Sequence, residues 1–309
     1  MIDAAVLVTA RSFDSLLRPE LERAVREVRY NDLGRPLAAA ELRDRLDGVE
    51  AVLAGLDDID ASVLATPGLR VVARHGVGVD RVDLEAASRH GVTVTNTPGA
   101  NAAAVAELTV ALMLLLCRPL LAADRAVRDG GWPVLRGSEL GRRTVGLLGA
   151  GQVGSRVARA LEGLGCTVLV HDPAREDSLP LGELLPRAEV LSLHAPLDAG
   201  TRGMVDDALL ARLPDGALLV NTARGELVDE AALVRALDSG RLAGAALDAL
   251  AEEPPSPGHP LVGRDDVIVT SHLGAHTVEA RAAMGRLAMD DLLAVLGGRR
   301  PRHPVTRSA

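Results

Sequence analysis

The stretch Thr144-Val145-Gly146-Leu147-Leu148-Gly149-Ala150-Gly151-Gln152-Val153-Gly154-Ser155 decides how this chain is read. An apolar run of five residues ends in three spaced glycines. Beyond them Val157, Ala158, Leu161 and Leu164 recur at helical spacing. A strand, a glycine turn and a helix in that order build a nest of backbone N–H groups at the positive end of a helix dipole, where a pyrophosphate can approach. A second apolar run, 167–170, ends in His171-Asp172, so a carboxylate follows Gly151 by 21 residues. That is the spacing at which a ribose 2′-hydroxyl needs an acceptor. The same carboxylate would repel a 2′-phosphate, which favours NAD over NADP. The motif alone is also compatible with a glycine-rich turn that holds no ligand. Asp172 is what tips the reading.

Composition narrows the rest. The chain has 309 residues, enough for two domains, with 48% hydrophobic and 25% charged residues. Net charge is −8 and the 34 basic residues are dispersed, which speaks against a nucleic-acid partner. Cys117 and Cys166 stand in apolar settings without metal-ligand spacing and read as core thiols of a protein in a reducing cytoplasm. The N-terminus carries no basic region, and the longest apolar stretch, 108–117, is too short to span a bilayer, so neither a signal peptide nor a membrane partner is expected. With only Phe13, Tyr30 and Trp132 as aromatics, ligands must be held by aliphatic walls, backbone and charge.

The first hundred residues alternate strand-like runs (5–8, 27–30, 51–53, 69–73, 92–95) with helix-like ones (14–26, 38–46, 60–65, 83–89). A second alternation places strands at 144–148, 167–171, 189–194, 217–221, 244–248 and 267–270. The expected fold class is α/β, with two Rossmann-like or flavodoxin-like domains and a cleft between them, the central domain a doubly wound parallel sheet for a dinucleotide. Long helices over 101–117 and 278–296 read as bridges, giving a substrate domain of 1–97 plus 275–309 and an NAD-binding domain of 98–274. Residues 301–309 read as a polar tail.

Ligands of open α/β sheets collect beyond the carboxyl ends of strands. Three residues stand there: Arg224 in VNTARGELVDE, Glu253 in DALAEEPP and His272 closing VIVTSH. A guanidinium fork suits the carboxylate and carbonyl oxygens of a 2-oxo acid. An imidazole can exchange a proton with the oxygen at C2, and a neighbouring carboxylate would orient it. Taken singly, each has an ordinary explanation: a solvated arginine, loop charge, a structural histidine. Their joint placement at the ends of successive strands is the argument. His259, in a Pro-Gly-His-Pro turn, reads as structural, and no His/Glu spacing suggests a metal.

With those segments in hand, the chain resembles the D-isomer-specific 2-hydroxyacid dehydrogenases. The resemblance covers nearly the whole sequence, in ARHGVGVDRVDLEAA (73–87), VTNTPGANAAAVAEL (94–108), VGLLGAGQVGSRVA (145–158), LHAPLDAGTRGMV (193–205), LLVNTARGELVDEAAL (218–233), DALAEEP (248–254) and SHLGAHT (271–277). It implies Arg224, Glu253 and His272 as the catalytic Arg, Glu and His, and Val77, Gly78 and Asn101 beside the substrate. It implies Gly149, Gly151, Gln152, Val153, Gly154, Asp172, His194, Pro196, Thr201, Thr222, Ala223, Asp248 and Gly274 along NAD, and a homodimer formed through the cofactor domain. Ala54 stands where phosphoglycerate dehydrogenases of this family carry an Arg for the substrate phosphate, which argues against 3-phosphoglycerate. The implied function is hydride transfer between NAD and C2 of a small 2-oxo or D-2-hydroxy acid. The alternative is an NAD-responsive binding or co-repressor protein that keeps the fold and the triad.

Overall fold

The computed structural model describes residues 1–306, which form two compact units, Met1–Asn101 with 276–306, and Ala102–Ala275. In the first unit the strands are β1 (Ile2–Val8), β2 (Val25–Tyr30), β3 (Ala51–Ala54), β4 (Val71–Arg74) and β5 (Thr93–Thr95). The helices between them are α1 (Arg18–Ala24), α2 (Ala39–Arg43), α3 (Ala61–Leu64) and α4 (Leu84–Arg89). The strands make one parallel sheet in the order β2-β1-β3-β4-β5. Side chains alternate between its faces: Ala51 and Leu53 enter one buried layer with Val6, Val71 and Ala73, while Val52 and Ala54 enter another with Leu7 and Val72. Both faces are covered, so these strands read as unbroken apolar runs rather than as alternating ones.

The second unit begins with α5 (Ala102–Cys117) and α6 (Leu120–Arg128). Then come β6 (Thr144–Leu148), α7 (Gly154–Gly163), β7 (Thr167–His171), α8 (Leu181–Leu184), β8 (Val190–Leu193), α9 (Asp207–Leu210), β9 (Ala217–Asn221), α10 (Glu230–Asp238), β10 (Leu242–Leu247) and β11 (Val267–Val269). Six parallel strands lie in the order β11-β10-β9-β8-β6-β7. The order reverses between β6 and β8, the kind of switch point at which an open sheet takes its ligand, and β6 is the strand that leads into the glycine turn. In β9 the alternation is clean. Ala217 and Leu219 face one core layer, Leu218 and Val220 the other, and Asn221 at the carboxyl end is fully buried.

Two local expectations are corrected. The helix expected over 14–26 is confined to α1, because Pro19 sits at its first turn and the chain passes directly into β2 at Val25. Helix α5 starts the second unit and packs on α7, β9 and β10, while α11 (Val278–Leu296) packs on β3, β4 and β5 of the first. The tail is docked as far as Thr306. Thr95 and Pro304 form an antiparallel bridge, the Val305 amide donates to the Val94 carbonyl at 2.8 Å, and the Thr306 hydroxyl accepts from the Val94 amide at 3.0 Å. The buried Asp291 carboxylate of α11 holds that segment through the amides of Arg302 and His303 and through His303 Nδ1. Among the described residues no single helix is long and apolar enough to cross a membrane.

Candidate active site

The glycine turn after β6 is shaped by backbone contact on one side and open space on the other. A Cβ on Gly149 would lie 2.6 Å from the His194 carbonyl oxygen, and one on Gly154 would overlap the Gly149 carbonyl. Neither position admits a side chain. A Cβ on Gly151 would meet nothing within 4 Å. Among the described residues the amides of Gly151, Gln152 and Val153 donate to no other group of the chain, and they stand directly before α7. Three free donors at the start of a ten-residue helix, with open space in front, fit a pyrophosphate.

Asp172 sits at the carboxyl end of β7. Its Oδ2 accepts from the Ala150 amide at 2.7 Å and its Oδ1 from the Ala174 amide at 2.9 Å, while its own amide donates to Ser178 Oγ. The Ala150 amide, then the Ala174 amide, hold this carboxyl below the usual carboxylate range, so it is an anion at neutral pH. A carboxylate tied to the glycine turn itself is placed to accept from a ribose hydroxyl. These residues fit NAD.

Other residues expected along the cofactor cluster at strand ends of the same unit. The His194 amide donates to the Leu148 carbonyl at 2.7 Å and its Nε2 pairs with Ser192 Oγ at 2.9 Å; burial pushes the imidazole down to about 4, so it is neutral at pH 7. Thr201 Oγ1 donates to the Pro196 carbonyl at 2.7 Å, which closes the turn beyond β8. Thr222 Oγ1 bonds Thr109 Oγ1 of α5 at 2.7 Å, and Ala223 packs partly buried against the core. Gln152 is exposed and bonds Arg156 one helical turn on.

Arg224 follows β9 in extended backbone, φ −143°, half-buried. Its turn is closed by Asn221, whose Nδ2 donates to the Arg224 carbonyl at 2.7 Å and whose Oδ1 accepts from the Ala223 amide at 3.0 Å. Arg224 Nη1 donates to the Ala223 carbonyl at 2.8 Å. His272 lies two strands over, beyond β11, with φ +56°, the left-handed region that side chains other than glycine and asparagine seldom adopt. Asp248 enforces that conformation. Its carbonyl accepts from the His272 amide at 2.9 Å, its Oδ1 from Leu273 N at 2.7 Å and Thr270 Oγ1 at 2.6 Å, and its Oδ2 from Gly274 N at 2.8 Å. Glu253 reaches the same ring, with Oε2 at 2.9 Å and Oε1 at 3.1 Å from His272 Nδ1. Oε1 also accepts from the Leu250 amide at 3.1 Å. Both side chains keep about a quarter of their surface open, 28% for His272 and 23% for Glu253, so the pair is reachable yet partly shielded from water. With Nδ1 engaged by the carboxylate, Nε2 is the nitrogen left for a substrate oxygen.

In the first unit, Val77 and Gly78 follow β4. Their carbonyls are taken by Asn96 Nδ2 (2.8 Å) and Arg74 Nε (3.1 Å), and their amides donate to no other group among the described residues. Asn101 is half-buried at the end of that stretch. Next to this loop stands His75, buried, neutral and pushed down to about 4 by desolvation, with Nδ1 on Ser12 Oγ at 3.2 Å. The structural partners Asn221, Ser178 and Ser192 did not stand out in the sequence. Their bonds run to backbone or to a neighbour whose position only the turn defines.

Comparison with known proteins agrees with this architecture. The sequence profile described as "D-isomer specific 2-hydroxyacid dehydrogenase, NAD binding domain" matches residues 110–274. The chain is 38% identical over 284 residues to a glyoxylate reductase of Thermofilum pendens, covering 86% of this chain and 84% of that protein. It is 38% identical over 259 residues to a D-3-phosphoglycerate dehydrogenase of Archaeoglobus fulgidus, covering 80% of this chain but only 49% of that one, so it spans about half that relative's length. Its fold superposes, at a TM-score of 0.85 and 30% identity, on the NADPH-dependent glyoxylate/hydroxypyruvate reductase of Sinorhizobium meliloti, covering 98% of this chain and 97% of the other. A match over 86% of this chain and 84% of a relative, a profile over the nucleotide-binding half and a parallel sheet with a dinucleotide turn lead to one conclusion: the chain belongs to the D-isomer-specific 2-hydroxyacid dehydrogenases, oxidoreductases with an NAD-binding domain.

Proposed function

We propose that the protein interconverts small 2-oxo acids and the corresponding D-2-hydroxy acids, with Arg224 binding carboxylate and carbonyl and His272, oriented by Glu253, as acid and base. The observation that carries this is the bond from Glu253 to His272 Nδ1 at 2.9 Å, which frees Nε2 for the substrate. When bound, the nicotinamide supplies or accepts the hydride at C2. In reduction the imidazolium delivers its Nε2 proton to the oxygen at C2; in oxidation the neutral ring takes it back. The free amides of Val77 and Gly78, with Asn101, are assigned to the substrate's carboxylate end. Gly149, Gly151, Gln152, Val153, Gly154, Asp172, His194, Pro196, Thr201, Thr222, Ala223, Asp248 and Gly274 are assigned to the cofactor.

Two features favour small substrates and NAD. Ala54 offers no cation, and the neighbouring Arg74 donates to the carbonyls of Ala54 and Gly78, which suits a short acid without phosphate. Asp172 is an anion where NADP would bring a phosphate. The test follows NADH and NADPH absorbance with glyoxylate, hydroxypyruvate, pyruvate, bulkier 2-oxo acids and 3-phosphohydroxypyruvate. Turnover of the short acids with NADH, at least tenfold above NADPH, is expected. A silent panel with intact NADH binding would favour the binding-protein alternative, and a preference for NADPH would remove Asp172 as the selector.

A homodimer formed through the second unit belongs to the same reading. Helix α6 buries none of its residues, and Leu120, Leu121, Val127, Trp132, Val134 and Leu135 expose apolar surface within sixteen positions. Sedimentation at micromolar concentration should show a dimer. A monomer there would remove this part of the proposal. Buried free thiols at Cys117 and Cys166 support a reducing cytoplasm as the site of action.

A further inference from the structure

The turn that carries Glu253 is held from outside the catalytic group. Glu230 is the first residue of α10, directly after the cap Asp229. Its Oε1 accepts from the Ala251 amide at 2.9 Å and its Oε2 faces His259 Nε2 at 3.2 Å. His259 is almost fully buried, and the Leu261 amide points at its Nδ1 at 3.4 Å, which assigns the proton to Nε2 and makes His259 a donor to Glu230. The neighbouring amide, Leu250 N–H, donates to Glu253 Oε1. Two successive amides of one turn thus serve two carboxylates, one facing the His272 ring and one fixed to α10 and His259. The peptide joining Leu250 and Ala251 is also the surface against which Gly225 packs, so closely that a Cβ there would overlap it, and Gly225 is the residue after Arg224. That peptide unit therefore abuts the turn of Arg224, and the unit just before it, joining Ala249 and Leu250, carries the amide bound to Glu253.

We propose that Glu230, braced by His259, is a positioning residue: it fixes the peptide between Leu250 and Ala251 and thereby places Glu253 against His272 Nδ1 while Gly225 seats the Arg224 turn on the same peptide. The inference rests on the acid and base role given above to Glu253 and His272. Glu230 touches neither. Its removal lets the turn shift by a fraction of an ångström, and errors of that size at a reacting centre cost tenfold or more.

The test measures kcat and KM for reduction of glyoxylate, or whichever 2-oxo acid is turned over, in Glu230→Ala, Glu253→Gln and the double variant, with NADH binding measured separately. Glu230→Ala is expected to lower kcat about tenfold while the KM of the acid and the Kd of NADH move less than about twofold. In the Glu253→Gln background the same change should have less than a twofold effect, since the group it positions is already gone. Glu230→Gln keeps an oxygen for the Ala251 amide but sets its NH₂ group against His259 Nε2–H, so its kcat should lie between those of Glu230→Ala and the parent. An undiminished kcat in Glu230→Ala, or an equal loss in both backgrounds, overturns the inference. Undiminished kcat in Glu253→Gln instead overturns the acid and base reading beneath it. If Glu230→Ala does not fold, His259→Leu, which removes only the brace, is read in the same way with an expected threefold loss.

Discussion

Asparagine in place of His272 should lower kcat by about 10²- to 10⁴-fold while NADH binding stays within about twofold of the parent. The choice of asparagine follows from the backbone. His272 holds φ +56°, and asparagine tolerates that region better than any other residue with a Cβ, so His272→Asn removes the proton carrier without adding strain. Alanine or glutamine at 272 would carry an added cost of about 1 kcal/mol in the same loop, and a loss of rate there would mix chemistry with misfolding. The asparagine variant should therefore melt close to the parent. If it turned over at the parent rate, His272 would not be the acid or base, and the reading built on its pairing with Glu253 would fall with it.

Replacing Asp248 by alanine is expected to cost about 3–5 kcal/mol of stability, the sum of several buried donors left without an acceptor. Asp248 is 2% exposed, and its carboxylate takes the Thr270 hydroxyl and the amides of Leu273 and Gly274. Water cannot easily replace it there. For a unit of this size the loss corresponds to a fall in melting temperature of about 10 °C or more. Turnover should fall as well, because the same three bonds hold the left-handed turn at His272. Asparagine at 248 keeps one acceptor but sets an NH₂ group against amide donors, so it should lie between alanine and the parent. A thermal melt of Asp248→Ala within a degree or two of the parent would show that the loop is held by something else.

Much of this architecture can be seen in the sequence because both sheets are covered on both faces. Runs such as Ala51-Val52-Leu53-Ala54 and Ala217-Leu218-Leu219-Val220 then stand out as apolar blocks bounded by polar turns, and the strand positions follow. What the pattern could not supply was the start of α1, where Leu16 and Leu17 add an apolar rhythm that belongs to the preceding turn, Leu16 being exposed and Leu17 buried. Nor could it supply the docking of the last described residues. Val305 and Thr306 become informative only once β5 is known to offer an edge. In the candidate site, Arg224, Glu253 and His272 were visible because each follows a strand end. Asn221, Glu230 and Asp291 were not. A buried polar side chain whose partners are backbone amides leaves no periodic trace, and its role depends on which distant turn arrives beside it.

The route by which the first unit closes has a consequence for its birth on the ribosome. The second unit is one uninterrupted stretch and is complete once Ala275 has been made, while the first must wait for α11 to cover β3, β4 and β5 and for Val305 to pair along β5. During that interval a parallel sheet stands with one flank only partly covered, by Phe13, Leu17 and Leu21, and one border unpaired, the condition in which nascent chains attract chaperones or one another. The segment that reads as a polar tail thus seals the border of β5 as far as Thr306, and trimming it back past Pro304 reopens that border.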